Sequence, residues 1–224
     1  LDHHKGPIPL LDCKRQEWLP RWQREWANVD EIHKLCNEVH TLASAIDPIQ
    51  IDEAQLAIHL GRARASRATG LDGLTNQDLR HAPPDARPGL CSIINEILRT
   101  LIAPAQWRAN AAQLIPKPKG GDRPITVTST LLSLVMDVLG VQMNEWQEAQ
   151  EAFWDDAVKG SSALRAALQR RMLDELEATE GVHSLSGYCD LEKFYDSISI
   201  PKLIHHAQAC EFPMRPLAII LQVH

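Results

Sequence analysis

The chain has 224 residues, with 23 Lys and Arg against 29 Asp and Glu, a net charge of −6. That length supports one large or two small packed domains, and the acidic balance excludes a wholly basic nucleic-acid binder. The charge is uneven, however. Residues 61–124 carry 10 basic side chains against 5 acidic ones, a net of +5, while residues 1–60 stand at −4 and residues 125–224 at −7. The middle block is a candidate phosphate-facing region. The 5 cysteines, at 13, 36, 91, 189 and 210, are odd in number and have no CxxC spacing. This argues against a disulfide framework or a zinc site and fits reduced thiols in an intracellular protein, with the compartment left open, the nucleus included. The first residues show no secretory leader pattern, and a piece of a longer chain need not retain one. No apolar run reaches the roughly 18 residues of a membrane span.

Residues 1–12, rich in Pro and His, read as a linker. From about 13 to 45 the spacing is helical: Trp18, Trp22 and Trp26, then Leu35, Val39 and Leu42. Pro20 divides this stretch, so two helices are expected, and the tryptophan stripe is read as packing surface. Asp52 and Glu53 open a helix that carries Leu56, Ile58 and Leu60 to about Arg67. Thr69 to Leu74 is a turn cluster. Pro88 suits a first helical position, before an apolar face at Leu90, Ile93, Ile94, Ile97, Leu98 and Leu101 that Pro104 ends. Residues 111–128 predict a hairpin, with Gly120-Gly121 permitting the turn and prolines at its edges. Residues 129–150 predict a helix. A further helix starts at Ser161 or Ser162 and closes at about Gly181. Ser184 to Asp190 reads as a short strand, and Ser199 and Pro201 begin a helix through Leu203 and Ile204. The chain opens at Leu1 and ends at His224 beyond the apolar run Leu217–Leu221, so we expect a piece of a longer protein with an element cut at that end.

Four segments carry chemistry. Ser66-Arg67-Ala68-Thr69-Gly70-Leu71-Asp72-Gly73-Leu74 holds a GxDG turn. Leu114-Ile115-Pro116-Lys117-Pro118-Lys119-Gly120-Gly121-Asp122-Arg123-Pro124-Ile125 is a basic hairpin, suited to a polyanion because cations on a rigid turn offset charge developing on phosphate. Gly160-Ser161-Ser162-Ala163-Leu164-Arg165 starts a helix whose free N–H groups suit phosphate. It lacks the GxxxxGK spacing of a Walker A loop. Cys189-Asp190-Leu191-Glu192-Lys193-Phe194-Tyr195-Asp196 places a carboxylate at a strand end and an aromatic five residues later. Neither adjacent histidine pair, His3-His4 or His205-His206, is read as a metal site, since neighbouring side chains point apart.

Taken in this order, over roughly residues 60–206, these segments resemble reverse transcriptases of the non-LTR retrotransposon and group II intron type. The resemblance implies an α/β fold: the fingers and partial palm of a right-hand polymerase, mainly helical with a small antiparallel sheet. Residues 1–55 would be a helical N-terminal extension or linker, 56–182 a fingers-like region and 183–224 the start of a truncated palm. The implied reaction is RNA-directed DNA synthesis, with attack of a primer 3′-hydroxyl on a dNTP assisted by two Mg²⁺ (or Mn²⁺) ions. Asp190 would be catalytic and hold metal, with the Leu191 carbonyl as a second metal ligand. Lys117 and Arg123 would bind the triphosphate, aided by Lys119, and Tyr195 would exclude the 2′-hydroxyl. Gly160, Ser161 and Arg165 would contact nucleic acid. The implied partners are an RNA template, a DNA primer and dNTPs, with no membrane, together with the missing C-terminal palm and thumb of the same protein. No aromatic-x-Asp-Asp turn follows Asp190 in these residues, where the family places it, so this stretch alone is expected to be inactive. Two rivals stand beside this reading. One is an RNA-dependent RNA polymerase, whose first motif also spaces two aspartates as Asp190 and Asp196 are. The other is a non-catalytic, nucleic-acid-binding remnant of a retroelement.

Overall fold

The computed structural model describes residues 29–65, 68–118, 121–150, 162–182 and 198–223, together with Asp12, Lys14 and Gln16. It is mainly helical, with one small antiparallel sheet among the described residues. The chain divides into two compact units, one of residues 1–24 and 147–198 and the other of residues 25–146 and 199–224. The predicted strand over 184–190 and the tryptophan stripe at 18–26 lie outside the described residues.

The larger unit contains α1 (Val29–Ser44), α2 (Glu53–Arg62), α3 (Asn76–Arg80), α4 (Ala86–Thr100) and α5 (Ala105–Arg108). The hairpin β1 (Ala111–Pro116) and β2 (Asp122–Val127) follows, then α6 (Thr130–Gln150), α8 (Ile200–Ala209) and α9 (Met214–Ile220). Residues of α6 up to Trp146 belong to this unit. α7 (Ala163–Thr179) belongs to the other.

α1 buries Leu35, Val39 and Ala43, a strict i, i+4, i+8 stripe, and packs against α8 and α9. Leu42, expected on this face, is 49% exposed, because it flanks the stripe, about 100° around the helix from Ala43. α2 starts with a capping box: Asp52 accepts from the Gln55 N–H at 2.8 Å, and Gln55 accepts from the Asp52 N–H at 3.0 Å. Its Leu56 and Leu60 are buried, while Ile58 points to solvent. The helix stops at Arg62, short of the expected Arg67.

α4 begins at Ala86, so Pro88 sits inside the first turn rather than at its first position. The turn tolerates it there because the missing N–H would have had no intrahelical partner. Cys91, Ile94, Ile97 and Leu98 form the buried face. Asn95 on the same helix clamps the segment before α2, accepting from the Ile51 N–H at 2.8 Å and donating to the Ile51 carbonyl at 2.9 Å. Leu101 then turns left-handed, at φ 56°, and ends the helix. Gln222 stabilises this exit. Its Nε2 donates to the Leu101 carbonyl at 2.6 Å, and its Oε1 accepts from the Ala103 N–H at 3.0 Å.

Arg215 of α9 is almost fully buried. Its guanidinium donates to the carbonyls of Ala43 (3.1 Å), Ile46 (2.6 Å) and Leu98, so one side chain caps the ends of α1 and α4 together. Burial pulls this group below its ordinary arginine value, and Asp47 opposes the shift. Arg215→Met keeps most of the volume and removes the desolvated charge, but takes the guanidinium donor from three carbonyls, of which Ala43 retains the Ile46 N–H at 3.2 Å. We expect a net loss of about 2 kcal/mol in urea unfolding. An unchanged urea midpoint would show that the capping contributes nothing.

In the smaller unit α7 is capped at both ends. Ser162 accepts from the Arg165 N–H at 3.1 Å. At the other end Gly181, at φ +71°, allows the Gly181 and Val182 N–H groups to reach the Ala178 and Glu177 carbonyls. The helix start at Ser162 and the glycine stop are those read from the sequence. None of the side chains of α7 is buried.

Candidate functional site

The hairpin forms where the sequence predicts it. β1 and β2 pair antiparallel in a register that sets Leu114 opposite Pro124 and Ile115 opposite Arg123. Beyond the last pair, Pro116 with Asp122, the Lys117 N–H donates to the Gly121 carbonyl at 2.9 Å. Gly121 adopts φ +79°, a value that favours glycine, so the turn chemistry is that of the sequence. Prolines at 116 and 124 remove N–H donors without breaking a larger sheet, because the described sheet has two strands only.

Lys117 and Arg123 therefore stand on the two arms of one turn, and both are exposed. Among the described residues neither charged group has a hydrogen-bond or ion-pair partner. Two exposed cations without partners among the described residues can attract a polyphosphate without first breaking described contacts. Lys119 lies outside the described residues.

The joint between the hairpin and α6 is the feature that sequence reasoning missed. Ser129 and Thr130, at the start of α6, are buried. Ser129 Oγ accepts from the Leu132 N–H at 3.3 Å. The Asp72 carboxylate reaches in from the GxDG turn: its Oδ2 accepts from Ser129 Oγ at 2.8 Å and from the Thr130 N–H at 2.8 Å. Thr130 Oγ1 in turn donates to the Leu74 carbonyl at 2.6 Å. A negative charge at the first turn of a helix complements its free N–H groups and dipole. Gly70 sits so close that a Cβ there would meet the Thr128 carbonyl oxygen at 2.5 Å and the Ser129 backbone at 2.8 Å. The GxDG segment thus acts as a clamp on the hairpin–helix joint rather than as a plain loop.

α6 is tied down at two further points. Asp137 Oδ2 lies 2.6 Å from His59 Nδ1 of α2. At its far end Trp146 Nε1 donates to the Cys210 carbonyl at 2.7 Å and meets Phe212 edge-on, with ring centroids 5.0 Å apart. The hairpin is therefore mounted on a helix held at its base, middle and end.

The remaining sequence-predicted residues divide in two. Arg165 is exposed on the first turn of α7, in the smaller unit. Asp190, Leu191, Tyr195, Gly160 and Ser161 lie outside the described residues. Among the described residues no group of three His, Cys, Asp or Glu side chains can hold a metal ion, and no helix is long and apolar enough to cross a membrane. Comparison with models of known protein families finds none that matches this chain, and comparison with curated proteins finds no match.

Proposed function

We propose that this chain is part of an RNA-directed DNA polymerase, contributing the fingers and the first part of the palm. What carries the reading is the order of four segments along one chain: the GxDG turn, the basic hairpin, the small-residue helix start and the aspartate motif at 189–196. The mainly helical unit with a two-stranded basic hairpin is compatible with it. In this reading Lys117 and Arg123 take the triphosphate of an incoming dNTP, with Lys119 beside them. Asp190 and the Leu191 carbonyl hold divalent metal, which when bound would activate the primer hydroxyl and steady the leaving pyrophosphate. Tyr195 packs under the sugar and leaves no space for a 2′-hydroxyl.

The test is steady-state kinetics in a polypeptide joining this chain to a palm segment that bears the Asp-Asp turn. Alanine at Lys117 or Arg123 should raise KM for a dNTP and its matching rNTP alike, by about tenfold, because both nucleotides present the same phosphates. Tyr195→Val should admit the rNTP and shift the dNTP/rNTP ratio of kcat/KM by at least about tenfold, with DNA synthesis only modestly slower. An unmodified enzyme that prefers rNTPs would replace this reading with an RNA polymerase. No synthesis from any intact pairing would leave the nucleic-acid-binding remnant in its place.

A further inference from the structure

A helix C-terminus presents unpaired carbonyls and a partial negative charge, and one cation commonly satisfies it. At the end of α2 that cation is Arg80. Its Nε donates to the Leu60 carbonyl at 2.6 Å, and its Nη2 to the carbonyls of Gly61 (3.2 Å) and Ala63. Two more arginines follow at the same helix end, Arg62 and Arg64. Both are exposed, and among the described residues neither guanidinium has a hydrogen-bond or ion-pair partner. They are surplus to the fold.

Both line a groove of about 730 Å³ between the end of α2 and one face of α6, with His59, Asn76, Asp137 and Asn144. Among the described residues Asp137 is the one carboxylate in that lining, and His59 already engages it at 2.6 Å. Asn76 fixes the backbone beneath the second arginine by donating to the Arg64 carbonyl at 2.8 Å. The α6 wall includes Gly140, where an added Cβ would meet no atom within 4 Å. Glycine inside a helix weakens it relative to alanine. Nothing in the packing requires one here, so its effect is to leave the wall of the groove bare.

The ligand follows from these features. Unpaired guanidinium forks match phosphate oxygens. The groove has room for a stretch of chain rather than a single phosphate. Among the described residues no Phe, Tyr or Trp lines it, and the His59 imidazole is already engaged by Asp137, so it suits a backbone and not stacked bases. No described hairpin residue lines it either, which separates it from Lys117 and Arg123. We propose that this groove seats the sugar–phosphate backbone of a single nucleic-acid strand, with Arg62 and Arg64 on its phosphates and Gly140 giving the strand clearance. The proposal rests on the polymerase reading only in naming that strand as the template.

The experiment is fluorescence anisotropy of the whole chain with a labelled oligouridylate about 20 nucleotides long, at two salt concentrations. The double variant Arg62→Ala, Arg64→Ala should weaken binding about tenfold at low salt and flatten the salt dependence by about 1.4 in log–log slope, some 0.7 per lost phosphate contact. Gly140→Glu, which adds bulk and negative charge to the wall, should weaken binding to a similar degree with the thermal midpoint retained. Arg99→Ala, which removes an exposed cation already paired with Glu96 outside the groove, should stay within about twofold. Binding that ignores the arginine pair, or Gly140→Glu in a folded protein, overturns the proposal. So does equal displacement by tripolyphosphate at matched phosphate concentration, which would make the groove a free-polyphosphate pocket. Equal displacement by polyglutamate would make it an acidic-peptide site and overturns it too. The polymerase reading stands or falls separately, on the nucleotide kinetics of the hairpin variants.

Discussion

Gly70→Ala should cost this protein about 3 kcal/mol and lower its thermal midpoint by roughly 10 °C. The added Cβ would lie 2.5 Å from the Thr128 carbonyl oxygen and 2.8 Å from the Ser129 backbone. Overpacking is cheap when a flexible side chain can swing aside, and here both neighbours are main chain. The backbone at Ser129 also carries the first hydrogen bonds of α6, so it cannot retreat without loosening the helix start. Asp72→Ala should cost less, about 2 kcal/mol, since it removes hydrogen bonds without forcing a clash. Gly73→Ala should cost about 1 kcal/mol, for strain at its φ of +66° alone. Thermal unfolding followed by circular dichroism ranks the three. A Gly70→Ala midpoint within about 2 °C of the parent would show that the joint relaxes freely, and the clamp would lose its meaning. Hydrogen exchange adds a local readout: hairpin amides should lose protection in Gly70→Ala more than amides of α4.

The second large effect concerns chemistry. Asp190→Asn is expected to reduce primer extension by at least about a thousandfold, near 4 kcal/mol of transition-state stabilisation. The amide preserves shape and loses the charge on which a divalent cation depends. Template affinity should change little, because the backbone contacts proposed at Arg62 and Arg64 do not involve this carboxylate. The assay uses the same joined polypeptide as the nucleotide kinetics, with template binding measured in parallel. Near-normal extension would make Asp190 a turn residue and remove the polymerase assignment.

The elements most legible in the sequence are those whose signals are local. Gly120-Gly121 between two apolar stretches announces the hairpin, and Ser162 with Gly181 brackets α7, since caps and turns are decided within a few residues. α3 escaped notice for the opposite reason. Five residues are too few to show a helical period, although Thr75 and Asp78 form a capping box around its start. Asp72 was legible as a turn and nothing more. Its partners at Ser129 and Thr130 are 57 and 58 positions away, and an Asp-Gly dipeptide looks the same whether its carboxylate faces water or a distant helix. Arg215 is harder still. Its acceptors are main-chain carbonyls, which leave no trace in residue identity, so an arginine beside an apolar run reads as a solvent-facing position. Lys117 and Arg123 were readable from their motif. Arg62 and Arg64 were readable only as part of a charged block, because the groove they line is made by segments from three parts of the chain.

The capping by Arg215 has a consequence for biosynthesis. The carbonyls of Ala43 and Ile46 receive a side-chain donor from a residue 172 and 169 positions later in the chain. At translation speeds of about 5–20 residues per second, the end of α1 waits roughly 10–30 s for its partner to be made. Until then the apolar stripe of Leu35, Val39 and Ala43 also lacks α8 and α9, its principal neighbours. A nascent chain halted anywhere before residue 200 should therefore present that stripe to chaperones. Ribosome stalling at successive lengths would show protease resistance of α1 arising late and abruptly, once α9 has cleared the exit tunnel.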